Sequence, residues 1–147
     1  MRSFLFVALG LALFSACDDP YQPRVVPCDD LLLSFTAAGP DTIQAATGVR
    51  YVDLKAGAGA TASAGVIETN YSLYVDDALL ESSCGRNVFT FPLGSAGGAI
   101  PAFQAGVTGM KEGGVRRLLI DAPQGYPQHP TLGGKDLLFD VHLVRVY

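Results

Sequence analysis

The sequence predicts an α+β fold in which an antiparallel sheet wraps around one short helix. Three observations lead there. Apolar residues recur with strand periodicity in stretches parted by turn residues, which suits an antiparallel sheet. Only one segment, opened by Pro101 and closed by Gly106 or Gly109, reads as helix, because proline is at home in a helix's first turn. That helix is apolar and under three turns long, so it cannot stand alone and must be covered by sheet.

The chain divides into three parts. Residues 1–16 read as an export signal: Arg2, an apolar run from Phe4 to Phe14, then small residues. The run is too short to span a bilayer as a stable helix. Its close, Leu13-Phe14-Ser15-Ala16-Cys17, resembles the lipobox of bacterial lipoproteins. That resemblance implies cleavage before Cys17 and a diacylglycerol on its sulfur. It also implies lipid anchoring in the bacterial cell envelope, with the domain in the periplasm. An ordinary secretory signal cut near Ala16 is the alternative. Residues 17–46 read as an acidic tether containing Pro20, Pro23, Pro27 and Pro40, in which Leu31 to Phe35 form either a docked apolar segment or a loose one. Residues 47–147 form the folded domain.

Charge is concentrated in the tether. It carries one Arg against five Asp, whereas the domain carries eight Lys and Arg against nine Asp and Glu. No basic face emerges, so nucleic acid is not an expected partner. With Cys17 lipidated, Cys28 and Cys84 remain. An exported compartment permits their pairing, which would staple tether to domain; two free thiols are the alternative. Neither belongs to a Cys-x-x-Cys pair, and the chain has only two His, so no metal site or cofactor is expected.

Within the domain, Gly48 to Lys55 alternates and reads as a half-buried strand. Val66 to Val75 alternates with Ile67, Thr69, Tyr71, Leu73 and Val75 on one face. Asp76-Asp77 makes the turn, and Leu79-Leu80 begins the return. Phe89, Phe91 and Leu93 share a side of the next strand. Gly94 to Gly98 lacks the Gly-Lys-Ser/Thr close of a phosphate loop and reads as a flexible connector. Val115 to Ile120 is a strand. In Leu137 to Val146, Phe139, Val141 and Leu143 point inward and Asp140 and His142 outward, His142 as a solvated face residue. Ser82-Ser83 is not set in a Gly-x-Ser-x-Gly elbow, which argues against a serine hydrolase.

Taken in order, the motifs Asn70-Tyr71, Glu81-Ser82-Ser83, Phe89-x-Phe91-x-Leu93-Gly94, Ile100-Pro101-x-Phe103, Gly106-Val107-x-Gly109-Met110, Arg116-Arg117-Leu118, Gly125-Tyr126 and Leu138-Phe139-Asp140-Val141 resemble the FKBP-type peptidyl-prolyl cis-trans isomerases. The resemblance runs from about Gly48 to the C-terminus. It implies an antiparallel half-barrel and a pocket for proline. Tyr71, Glu81, Phe103 and Tyr126 take the catalytic positions. Leu80, Phe89, Ala99, Ile100, Leu132 and Phe139 take substrate-binding ones. Phe103 is expected to be the floor, with Phe89, Ile100 and Phe139 as walls. Tyr126 and the Ile100 backbone would orient the peptide, and Tyr71 and Glu81 would form a polar edge. The expected activity is isomerisation of X-Pro bonds in exported proteins by a monomer, with no cofactor. The alternative is a catalytically weak binding module or chaperone for proline-containing segments. Phe103→Ala and Tyr126→Phe are expected to lower activity without unfolding the domain.

Overall fold

The computed structural model describes Cys28 and residues 41–147. The export signal, Cys17 and the Leu31 to Phe35 segment lie outside the described residues. The elements are β1 (Ile43–Ala46), β2 (Val49–Lys55), β3 (Gly65–Val75), β4 (Ala78–Ser82), β5 (Phe89–Leu93), α1 (Pro101–Val107), β6 (Val115–Ile120), a 3-10 turn (Ala122–Gln124) and β7 (Leu137–Val146). Every strand pairing is antiparallel, in the order β1-β2-β6-β7-β3-β4, and β5 also pairs with β3.

β1 differs from expectation, since residues 43–46 were assigned to the tether. Ile43 lies opposite Tyr51 and Ala46 opposite Val49, across a turn closed by Gly48 at φ +69°. A strand of four residues is too short to show a period of its own, which is why the sequence hides it. The turn from β3 to β4 falls at Asp76-Asp77 as expected. Their φ values of 50° and 63° match a type I′ hairpin, whose twist follows that of the strands.

Among the described residues β3 is the longest strand, and it is shared. Its first half, Gly65 to Thr69, pairs with β5, while Ser72 to Val75 pairs with β4. β4 and β5 therefore run along the same edge of β3, interrupted by residues 83–88. That interruption falls opposite Asn70 and Tyr71.

Helix α1 packs on one face of the sheet. Phe103 reaches the rings of Tyr71 on β3, Phe91 on β5 and Phe139 on β7, at 6.2, 5.7 and 5.2 Å between centroids. The helix also packs against β1, β2 and β6. A seven-residue helix meets so many strands only if the sheet curls around it, as a half-barrel does. Close approach is secured at Gly106, where a Cβ would stand 2.7 Å from a Leu118 methyl. Arg116 closes the helix end. It donates to the carbonyls of Gly106 and Thr108 at 2.9 and 3.2 Å, pairs with Asp53, and stacks 3.7 Å from the Tyr51 ring centre.

The other face is not simply solvated. Asp140, expected to point into water, is fully buried, and Arg117 donates to both its oxygens at 2.6 and 2.7 Å. The alternation along β7 is correct, but this face has buried polar pairs as well as exposed ones. His142 is likewise half-buried. Cys28 and Cys84 form a disulfide with Cα atoms 5.5 Å apart. It joins the residues ahead of the sheet to the interruption between β4 and β5.

Candidate functional site

The break between β4 and β5 leaves Tyr71 without a strand partner on that side. The Ser83 backbone and the two serine hydroxyls replace one. The Tyr71 carbonyl accepts from Ser83 N at 2.9 Å and Ser82 Oγ at 3.1 Å, and the Tyr71 N–H donates to Ser83 Oγ at 2.9 Å. Buried Ser83 passes the chain on by donating to Asn70 Oδ1. The pair Ser82-Ser83 thus fixes Tyr71, whose side chain borders a cleft over α1.

This cleft is lined by Tyr71, Glu81, Phe89, Ala99, Ile100, Phe103, Tyr126 and Phe139, with Leu73 and Gly98. Eight of the ten residues expected at the pocket therefore meet there. Phe103 forms the hub, with Phe89 at 6.1 Å and Phe139 at 5.2 Å in edge-to-face contact. Such edge-to-face geometry is favoured by the ring quadrupoles. The cleft measures about 60 Å³, far below the 300–1,000 Å³ or so of pockets that enclose drug-sized ligands. It suits one small side chain rather than a large molecule.

Two expected residues do not line it. Leu80 is exposed, because β4 carries a bulge: Leu73 pairs with Glu81 and Tyr74 with Leu79, leaving Leu80 as the extra residue. Glu81 thereby keeps its place at the cleft while Leu80 loses it. Leu132 sits half-buried in a loop that folds on itself, its N–H donating to His129 Nδ1 at 3.2 Å. Leu73 supplies an apolar wall that the sequence had placed only on the same strand face as Tyr71.

The polar edge is formed by two tyrosines and one carboxylate. Tyr71 Oη donates to Glu81 Oε1 at 3.0 Å. Burial pushes the Tyr71 hydroxyl up to about 12, and the bond to Glu81 and its charge add to the shift. Burial also raises Tyr126, with the Glu81 charge next in importance. Both phenols are thus protonated at neutral pH and able to donate a hydrogen bond.

Gln104 was missed by sequence reasoning. Buried on α1, it accepts from Gly94 N at 2.8 Å and donates to the carbonyls of Ser95 and Ala99, both at 3.0 Å. It therefore pins the loop from Gly94 to Ala99, of which Gly94 to Gly98 were expected to form a flexible connector. Gly98 lies tightly there too, at φ +82° with room for no Cβ beside that of Phe91. The available signal was a lone amide within an otherwise apolar helix. Among the described residues, no cluster of His, Cys, Asp and Glu could hold a metal ion.

Comparison with known proteins agrees with this geometry. Residues 58–144 match the family described as FKBP-type peptidyl-prolyl cis-trans isomerase. The chain is 29% identical over 145 residues to the chloroplastic peptidyl-prolyl cis-trans isomerase FKBP19 of Arabidopsis thaliana, covering 73% of this chain and 56% of that one. It is 36% identical over 87 residues to the FK506-binding protein of Neisseria meningitidis serogroup C, covering 55% of this chain and 79% of that one. The crystal structure of a peptidyl-prolyl cis-trans isomerase from Pseudomonas syringae has the same fold, with TM-score 0.63, 24% identity, and coverage of 74% of this chain and 83% of that one. With its curled antiparallel sheet, the short helix α1 and an aromatic cleft between them, this chain belongs to the FKBP-type peptidyl-prolyl cis-trans isomerase family.

Proposed function

We propose that the protein is a peptidyl-prolyl cis-trans isomerase acting on X-Pro bonds of exported polypeptides and so assisting their folding. The observation that carries this reading is the aromatic cleft over Phe103, edged by two protonated phenols. X-Pro isomerisation is slow because twisting the amide breaks its resonance, at a barrier of roughly 18–20 kcal/mol. The twisted amide has less charge separation than the planar one, so an apolar cleft favours it relative to water. Phe103 supports the proline ring, with Phe89, Ile100 and Phe139 around it. Tyr126 Oη and the Ile100 N–H donate to substrate carbonyls and hold the peptide while the bond turns. Glu81 orients the Tyr71 hydroxyl at the same polar edge. A hundredfold acceleration requires only about 2.7 kcal/mol of differential stabilisation, within reach of positioning and desolvation without a nucleophile.

The test is the cis-to-trans rate of a proline tetrapeptide with and without the protein. Acceleration is expected, and Tyr126→Phe should lower kcat/KM by about fivefold, the worth of one hydrogen bond. A folded protein that leaves the spontaneous rate unchanged overturns the reading.

The protein is further proposed to be anchored by a lipid on Cys17 in the bacterial envelope, with its domain in the periplasm as a monomer. The lipobox-like stretch before Cys17 supports this. The wild-type protein should stay with membranes through high-salt washing, and Cys17→Ser should lose acylation and that retention. Equal fractionation of the two sinks the anchor.

A further inference from the structure

We infer that a second subsite adjoins the cleft, in which Arg86 reads an acidic side chain next to the substrate's proline. The inference rests on the isomerase reading above. A groove of about 320 Å³ shares Tyr71, Glu81 and Phe89 with the cleft and extends past Arg86, Val88 and Thr90. A bound peptide continues beyond its proline, and successive Cα atoms are only about 3.8 Å apart. A residue flanking the proline therefore comes within reach of this groove, which is roomier than the cleft itself.

The groove's lining holds one cation and one anion, Arg86 and Glu81. Arg86 is held by the backbone and forms a salt bridge with Glu81. Its Nε and Nη2 both donate to the Ser82 carbonyl, the former at 3.0 Å. The Glu81 carboxylate lies 3.8 Å from Nη2, beyond hydrogen-bond reach, and the oxygen nearest Arg86 already accepts from Tyr71. A guanidinium carries five N–H donors, so three are left for a ligand or water. A planar fork with donors to spare matches a carboxylate.

The loop that presents Arg86 is built, not loose. The Arg86 N–H donates to the Ser83 carbonyl at 3.0 Å, and the Cys84 N–H to Ser82 Oγ at 3.1 Å. The disulfide fixes Cys84 two residues away. A pre-positioned cation loses little freedom on binding, so its contact is expressed as affinity. Glu81 opposes the incoming carboxylate, and the site is open to water, so discrimination is about fivefold rather than a thousandfold.

The experiment uses the disulfide-intact full chain and proline peptides bearing Ala, Glu or Lys immediately before or after the proline. At one of these positions the Glu peptide should exceed the Lys peptide about fivefold in kcat/KM. The ratio should shrink toward one as salt shortens the Debye length. Arg86→Gln should abolish the ratio and Arg86→Glu should invert it. Turnover of the Ala peptide with equal Glu and Lys rates at both positions overturns the subsite and leaves the isomerase standing. A ratio that survives in both Arg86 variants also overturns it. Failure to turn over the Ala peptide removes both readings.

Discussion

Phe103→Ala is expected to destabilise the domain by about 3–5 kcal/mol, the usual cost of emptying a buried aromatic site. The sequence reading expected this variant to stay folded. The structure corrects that expectation, because Phe103 is floor and core at once. It is 3% exposed and meets the rings of Tyr71, Phe89, Phe91 and Phe139. Small domains have about 5–15 kcal/mol of stability in all, so the loss takes a large share of it. Phe103→Leu is the informative variant, since it keeps the site apolar and removes the flat ring. It should unfold at somewhat lower urea concentration than wild type and show kcat/KM lower by about tenfold, a transition-state loss of about 1.4 kcal/mol. Urea titration and the tetrapeptide rate, taken on the same preparation, separate the two effects. A folded Phe103→Leu protein with wild-type rates removes Phe103 from the mechanism.

Asp140→Ala should cost as much, roughly 3–5 kcal/mol, although Asp140 lies on the face of β7 opposite Phe139 and Val141. The carboxylate is fully buried and takes two charge-assisted bonds from Arg117, which is itself 2% exposed. Those bonds are the main cause that raises the Arg117 pKa. Removing the anion leaves a guanidinium in a site with no water to solvate it. Replacing both, Asp140→Leu with Arg117→Met, should recover most of the loss, because the attraction in such pairs largely offsets their desolvation. Urea midpoints for the single and double variants provide the check. A single variant as stable as wild type would mean that the pair is effectively solvated.

Much of this was legible in the sequence because its periods are clean. The alternation in Val66 to Val75 and Leu137 to Val146 located β3 and β7, and Pro101 marked the helix start at the observed residue. Eight cleft residues followed from the order of motifs, since chain order along a shared fold fixes which side chains converge. What escaped depended on local geometry. The bulge that removes Leu80 from the cleft is a one-residue slip in pairing, which no residue type announces. The buried pair of Asp140 with Arg117 joins residues 23 apart in sequence, and outward alternation alone reads as exposure. Gln104 depends on a loop that folds back over its own helix. Arg86 escaped because it sits in a loop between strands, whose setting no periodicity announces.

The bond between Cys28 and Cys84 has a topological consequence. β1 and β4 stand at opposite ends of the hydrogen-bonded strand order, and Cys28 precedes β1 in the chain. The covalent path from Cys28 through β1 to β4 and back across the sulfurs is therefore a ring that takes in both margins of the sheet. The sheet is open as a ladder of hydrogen bonds but closed as a graph of covalent bonds. A closure over 56 residues of sequence separation restricts the unfolded chain by on the order of 4 kcal/mol in the chain-entropy account. A single peptide-bond cut anywhere between Cys28 and Cys84 would open the ring without releasing a fragment.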